Sequence, residues 1–93
     1  MDFKKMMQQA QKLQKEMAQK KQIVNNQEFS IEKQGLKVIA TGDYQIKKIT
    51  FHPVLLDSND TELIEDLTML TINELFDQIK KAHDAVEEET TNR

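Results

Sequence analysis

The sequence predicts an α+β fold in which a long helix, three antiparallel strands and a second long helix follow one another along 93 residues. The spacing of the apolar residues leads to this prediction. They recur every three or four positions up to residue 24, every second position over much of residues 29–51, and again at helical spacing after residue 60. Helices at both ends of a run of strands are typical of the α+β class.

The first helix is predicted over residues 3–24. Gly and Pro are absent before Gly35, and the segment is rich in Gln, Lys, Met and Ala, most of which favour helices. Its apolar side chains form one stripe, comprising Phe3, Met6, Ala10, Leu13, Met17 and Val24. The stripe also fits a seven-residue register, so it requires a covering partner, which is either the rest of this chain or another copy of it.

Three strands are predicted at about residues 27–33, 36–42 and 45–52. Turns are predicted at the two glycines between them, Gly35 and Gly42, because glycine readily supplies the positive φ that such turns often need.

The third strand is predicted to be irregular at its start and to end at Pro53. Ile46 is out of phase with Ile49 and Phe51, which indicates a bulge or a late start. Pro53 has no N–H to donate to a neighbouring strand, and it biases His52 to extended geometry.

The second long helix is predicted over residues 60–88, with Asn59 and Glu62 as a capping box. Its apolar residues occupy two faces. One face comprises Leu63, Leu67 and Leu70, and the other comprises Ile72, Leu75, Ile79, Ala82 and Val86. Met69 and Phe76 lie between them, so the helix centre is expected to be buried on two sides, by its own sheet and by another subunit.

Charge divides the chain into a basic and an acidic end. Residues 1–27 hold six lysines and two carboxylates, whereas residues 57–93 hold eleven carboxylates and three basic residues. Such a split suggests that the basic end meets a polyanion or a membrane surface. No apolar run is long enough for a signal peptide or a membrane span, so a location inside the cell is expected.

Composition favours an oligomer without catalytic function. Apolar residues make up 38% of the chain and mean hydropathy is −0.68, so a chain this short builds only a marginal core. There is no cysteine, and Ser30 and Ser58 lie in no nucleophile motif. His83 and Glu87 could touch a metal ion together, but a solvated face is the simpler interpretation. No enzyme activity, cofactor, metal or small-molecule substrate is predicted.

The order of these features resembles one known family. Residues 7–17, MQQAQKLQKEM, are similar to that family's opening helix. Gly35-Leu36-Lys37-Val38, Gly42 and residues 49–56, ITFHPVLL, are similar to its glycine-valine strand and to its strand ending in proline and leucines. The helix around Ile72-Asn73-Glu74-Leu75 fits as well. The chain therefore resembles the YbaB/EbfC nucleoid-associated proteins over almost its whole length.

The resemblance implies an intertwined homodimer whose N-terminal helices project like the arms of tweezers. It implies binding of double-stranded DNA in the bacterial cytoplasm and nucleoid, with limited sequence specificity and roles in nucleoid organisation and gene regulation. The acidic C-terminal run departs from the family pattern, because many members carry a longer tail there. Whether Glu87, Glu88 and Glu89 fold back onto the lysines as a competitor for DNA stays open.

Two sets of residues are predicted to carry the function. The DNA-binding set is the lysines of the first helix, Lys4, Lys5, Lys12, Lys15, Lys20 and Lys21, as phosphate contacts. The set for the core and the dimer contact is Leu13, Met17, Leu67, Leu70, Leu75 and Phe76. The alternative is a protein-interaction module in which the methionine-rich stripe of the first helix, Met6, Met7, Leu13 and Met17, grips a partner.

Overall fold

A computed structural model describes the backbone of residues 2–91 and the side chains of residues 2–89. The elements in chain order are α1 (Phe3–Asn26), β1 (Glu28–Lys33), β2 (Leu36–Thr41), β3 (Gln45–Phe51), α2 (Pro53–Leu56) and α3 (Thr61–Thr91). The predicted α+β order is confirmed. The long helices extend two and three residues beyond their predicted ends, and the short helix α2 was not predicted.

The three strands form one antiparallel sheet in the order β1-β2-β3. A two-residue turn joins β1 to β2, with Gln34 at φ 51° and Gly35 at φ 90°. Positive φ at both central residues is the geometry that a tight antiparallel hairpin favours. In the turn between β2 and β3 the prediction was wrong about the residue, because the positive φ belongs to Tyr44 (62°) and not to Gly42.

The irregularity predicted for the third strand is a β-bulge. Ile39 lies opposite Lys48 and Ala40 lies opposite Ile46, so Lys47 is an extra residue in β3. The bulge returns Ile46 to the same side of the sheet as Ile49.

Side chains just before α2 and α3 accept hydrogen bonds from backbone N–H groups in the first turn of each helix. β3 ends at Phe51, and the Nδ1 atom of His52 accepts a hydrogen bond from the Val54 N–H at 3.2 Å. Pro53 therefore begins α2 as well as ending the strand. The predicted capping box at Asn59 is wrong. Asp60 caps α3 instead, accepting from the Leu63 N–H at 3.0 Å.

The core lies between β2 and α3, which packs across β1 and β2. It comprises Leu36, Val38, Ala40, Leu67, Leu75 and Ile79, with Phe29, Ile31, Phe51 and Phe76 packed around it. Of the residues predicted for core and dimer, Leu67 and Leu75 are buried and Phe76 and Met17 are half-buried. Leu13 and Leu70 lie outside this core, with 40% and 62% of their surface exposed, because no described element covers them.

Most of the third strand is left uncovered on the face that carries the core, although Phe51 at its end packs there. Ile49 lies opposite Val38 and Ile46 lies opposite Ala40, so both isoleucines share the face of β2 that α3 packs against. They are nevertheless 39% and 40% exposed. Three further apolar residues of α3 are exposed, namely Leu63, Met69 and Leu70. The chain therefore leaves part of its apolar surface open.

The molecule is long and thin, with extents of 69 × 17 × 14 Å. Its radius of gyration is 19.3 Å, whereas a compact domain of this length would have about 12 Å. The excess comes from α1, which runs antiparallel to α3 and continues past its C-terminal end.

Candidate nucleic-acid interface

The N-terminal half of α1, residues 3–15, is a helical segment that makes little contact with the rest of the chain. Every residue in it is exposed, whereas Glu16, Met17, Lys20 and Lys21 are half-buried. At 1.5 Å per residue the segment is about 20 Å long. We call residues 3–15 the distal arm.

The distal arm begins with a well-formed helix cap. The Asp2 carboxylate accepts hydrogen bonds from the backbone N–H groups of Lys4 at 3.1 Å and Lys5 at 3.3 Å. A carboxylate at this position also complements the positive end of the helix dipole. The cap and the helix-favouring composition are the local reasons that a segment without a covering partner is helical.

Four of the six predicted DNA-contact lysines lie on the distal arm. Lys4, Lys5, Lys12 and Lys15 are all exposed, and within residues 2–89 none of them forms an ion pair. At 100° per residue they fall within about 100° of one another, opposite the apolar stripe. The arrangement is a row of mobile positive charges along one face of a projecting helix.

The remaining two predicted lysines are held by α3. Lys20 Nζ lies 2.6 Å from Glu89 Oε1, and Lys21 Nζ lies 2.6 Å from Glu87 Oε1. The hydrogen bond from Lys21 holds the pKa of the Glu87 carboxyl below its ordinary value, and the charges of Lys21 and His83 act in the same direction. The structure thus divides the six lysines into four on the distal arm and two in ion pairs.

The body end of α1 is fixed against the turn between β2 and β3. A Cβ added at Gly42 would lie 1.7 Å from the Val24 carbonyl oxygen, and the Gly42 N–H donates to the Gln27 carbonyl at 3.0 Å. On the other side, His83 Nε2 of α3 donates to the Gly42 carbonyl at 2.7 Å. Gly42 therefore joins α1, the sheet and α3 at one point.

Aromatic contacts complete this junction. The Tyr44 ring stacks on His83 at a centroid distance of 5.9 Å and meets Phe76 edge to face at 5.4 Å. The solvated face predicted for His83 is therefore wrong, because the ring is half-buried and hydrogen-bonded across the fold. Tyr44 is therefore part of the junction from which the arm projects.

The apolar side chains of the distal arm are not covered by any other described part of the chain. Phe3 is 74% exposed, Met6 52% and Leu13 40%, whereas Val24 at the body end is 7% exposed. Only the C-terminal part of the stripe packs on the rest of the molecule. Of the two partners expected for the stripe, the chain itself covers one end and leaves the other open.

Comparison with known proteins identifies the family. A model of the YbaB/EbfC DNA-binding family matches residues 1–93. The chain belongs to this family. Membership confirms the predicted resemblance and makes DNA the class of partner. It also confirms the prediction that the protein is not an enzyme, because the family is one of DNA-binding proteins.

Individual relatives are similar to this chain over most of their own length. A nucleoid-associated protein of Metamycoplasma arthritidis is 38% identical over 92 residues, which is 99% of this chain and 97% of the relative. A nucleoid-associated protein of Mycoplasmopsis pulmonis is 36% identical over 96% of this chain and 89% of the relative. One from Mycoplasma mobile is 40% identical over 87% of this chain and 85% of the relative.

The described helices contain no segment that is long and apolar enough to cross a membrane. Sequence reasoning left open whether Glu87 and Glu89 meet the lysines, and it did not place Gly42 at the junction. A helical wheel places Lys20 and Lys21 beside the apolar stripe, which is a signal that these two differ from the other four. For Gly42 the sequence holds no comparable signal, because the close approach involves backbone atoms distant in sequence.

Proposed function

We propose that this protein binds duplex DNA through contacts between phosphates and the lysines of the distal arm, as a homodimer that presents two arms. The observation that carries the proposal is the row formed by Lys4, Lys5, Lys12 and Lys15. These side chains project from a helix that extends about 20 Å beyond the body, and no carboxylate among the described side chains pairs with them.

Lysine ammonium groups suit phosphates because they are compact charges on flexible stems and impose little geometry. Each phosphate neutralised on duplex DNA adds about −0.9 to the slope of log affinity against log salt. Two arms with four lysines each would supply a slope of about −7 if every lysine met a phosphate. Such binding is compatible with a net charge of −3 per chain, because the ion pairs of the described residues leave the four arm lysines unpaired.

Low sequence specificity follows from the same residues. The arm has no arginine, the side chain that most often reads guanine with two parallel hydrogen bonds. Contacts from lysine to phosphate position a protein on DNA without reading the bases. We therefore expect little preference between DNA sequences, with discrimination arising from the shape or flexibility of the duplex.

The dimer is supported by the apolar surface that one chain leaves open. Ile46 and Ile49 lie on the core face of the sheet, yet α3 packs mainly on the other two strands. A second copy that buries this face would enlarge a core that is marginal in one chain. The same association would bring two distal arms into one particle.

A role in the nucleoid is supported by the relatives, several of which are named nucleoid-associated proteins. Two arms on one dimer can engage neighbouring stretches of the same duplex or two duplexes. We propose that the protein thereby organises nucleoid DNA, alters its conformation and influences gene expression.

Fluorescence anisotropy with two duplexes of unrelated sequence, titrated over a salt series, tests the DNA-binding proposal. We expect similar affinities for both duplexes and a steep linear fall on the log–log plot, because phosphate contacts release counterions. A large preference for one duplex, or a shallow salt dependence, would contradict phosphate-dominated binding. Absence of binding at 50 mM salt would contradict the proposal as a whole.

A second candidate function, gripping a partner protein, rests on the exposed apolar stripe of the arm. Phe3, Met6 and Met7 are 74%, 52% and 62% exposed, and methionine-rich surfaces adapt to varied partners. Changing Leu13 and Met17 to Gln would abolish capture of a stoichiometric protein partner under this candidate. Under the DNA proposal the same variant would keep its salt-dependent affinity for duplex DNA.

A further inference from the structure

The ion pairs between α1 and α3 involve the two lysines that border the apolar stripe. When the helix is viewed down its axis, Lys20 and Lys21 lie on opposite sides of the stripe, each about 50° from its centre line. Because the body end of the stripe faces α3, both ammonium groups face the acidic C-terminal part of α3. They meet Glu89 and Glu87 there, each at 2.6 Å.

These ion pairs are accessible to solvent and to ligands. The side chains of Lys20 and Lys21 are 29% and 36% exposed, and those of Glu89 and Glu87 are 60% and 50% exposed. Exposed pairs of this kind are weak, because water and salt screen the attraction. A phosphate approaching along α1 could therefore replace a carboxylate as the partner of either ammonium group.

Carboxylates and phosphates compete for the same donors. Lys20 and Lys21 continue the basic sequence of the distal arm toward the body, so DNA lying along the arm would reach them next. DNA that does so must displace Glu87 and Glu89 and meet their negative charge, which opposes the approach of a polyanion.

We propose that Glu87 and Glu89 act as an internal competitor that keeps Lys20 and Lys21 out of the DNA contact, so that the free protein binds DNA through the distal arm alone. The proposal rests on the DNA-binding function proposed above. It assigns different roles to the lysines of α1: four bind phosphate directly, and two are released only when their carboxylate partners are removed or neutralised.

The test compares two full-length variants that change net charge equally. Glu87→Gln with Glu89→Gln removes the competitor. Glu62→Gln with Glu65→Gln is the matched control, because both residues are exposed near the other end of α3, about 35 Å away along the helix. Binding to one duplex of unrelated sequence is measured by anisotropy between 50 and 200 mM salt, after circular dichroism has shown that both variants keep the parent's helix content.

We expect the Glu87/Glu89 variant to bind more tightly than parent and control at 50 mM salt. Because each chain would contact two more phosphates, the slope of log affinity against log salt should be steeper by about 2 per bound chain. The ratio of the variant's affinity to the parent's should therefore rise about tenfold as the salt concentration falls from 200 to 50 mM. Adding Lys20→Gln and Lys21→Gln to this variant should remove the gain, whereas the same two changes in the parent should alter affinity little.

Three results would overturn the competitor role while leaving the DNA-binding proposal intact. The first is an equal gain in the Glu62/Glu65 control, which would show a general charge effect. The second is unchanged or weaker binding by the Glu87/Glu89 variant, which would show that the ion pairs only support the arm. The third is a large loss of affinity when Lys20 and Lys21 are changed in the parent. Absence of binding by the parent and every variant would overturn both proposals.

Discussion

Gly42 is the residue on which the packing of α1 against the sheet depends. The backbone of Val24 comes so close that a Cβ at Gly42 would lie 1.7 Å from its carbonyl oxygen and 2.5 Å from its carbonyl carbon. Backbone atoms cannot move aside as a flexible side chain can. The glycine is therefore required for space, and its N–H and C=O groups hold Gln27 and His83.

Replacing Gly42 with Ala should destabilise the protein by about 3 kcal/mol, since the added methyl group forces α1 away from the sheet. Urea unfolding followed by circular dichroism measures the change as a lower midpoint at an unchanged slope. Gly35→Ala is the comparison, because its Cβ would meet only side-chain carbons at 3.3 and 3.7 Å and its φ of 90° costs about 1 to 2 kcal/mol. A loss of stability in Gly42→Ala that is equal to or smaller than the loss in Gly35→Ala would contradict the close approach of Val24 to Gly42.

Thr71 is a second residue whose replacement should have a specific effect on stability. It is fully buried on α3, and its hydroxyl oxygen has no hydrogen-bond partner among the described residues. Thr71→Val keeps the shape and removes the unpaired hydroxyl, so we expect the free energy of unfolding to rise by about 1 kcal/mol. Thr68→Val is the control, because the Thr68 hydroxyl donates to the Ile64 carbonyl at 2.7 Å. Destabilisation by Thr71→Val would contradict an unpaired hydroxyl at this position.

At the scale of elements, α1 consists of a body end that packs on α3 and the sheet and a distal arm that does not. The spacing of apolar residues predicted both helices and all three strands, since that spacing reflects one covered face per element. It did not predict α2 or the cap at Asp60, which depend on a few local hydrogen bonds. Nor could it pair Lys20 with Glu89, because the pairing depends on how far α3 runs alongside α1.

The contact between these two helices should be visible in the titration of one carboxyl group. Lys21 lowers the pKa of Glu87 chiefly by hydrogen bonding, so Lys21→Gln should raise that pKa toward its ordinary value. Because the folded-state value lies below the unfolded one, the contact contributes to stability above the unfolded pKa and this contribution is lost as pH falls through the folded pKa. Carboxyl chemical shifts measured by NMR across pH 2 to 7 follow the change. An unaltered Glu87 pKa in the variant would contradict the ion pair.

At the scale of the whole molecule, the chain combines a small core with an extended shape. Its radius of gyration of 19.3 Å and its exposed apolar strand are the observations that support the proposed homodimer. The fold could be predicted from sequence because the apolar residues that form the core recur at regular spacing along each element. The ion pairing of two of the six lysines was not predicted, because a helical wheel separates Lys20 and Lys21 from the other four but does not show that α3 reaches them.

Association through the open sheet face predicts that Ile46→Lys with Ile49→Lys yields a folded monomer, since charged ammonium groups resist burial in an apolar interface. Thr50→Lys is the control, because Thr50 pairs with Lys37 on the opposite face of the sheet. Sedimentation velocity gives the mass of each variant. Dimer mass for the isoleucine variant would place the interface elsewhere.

The measurement that tests the central claim most directly compares two fourfold lysine variants with the parent in DNA binding at 50 mM salt. One variant changes Lys4, Lys5, Lys12 and Lys15 of the distal arm to Gln. The other changes four exposed lysines of the body, Lys37, Lys47, Lys48 and Lys80, and so loses the same charge. We predict that the arm variant loses binding by at least about 100-fold and keeps its dimer mass, while the body variant binds nearly as well as the parent. Equal losses in both variants would contradict the assignment of DNA contact to the distal arm.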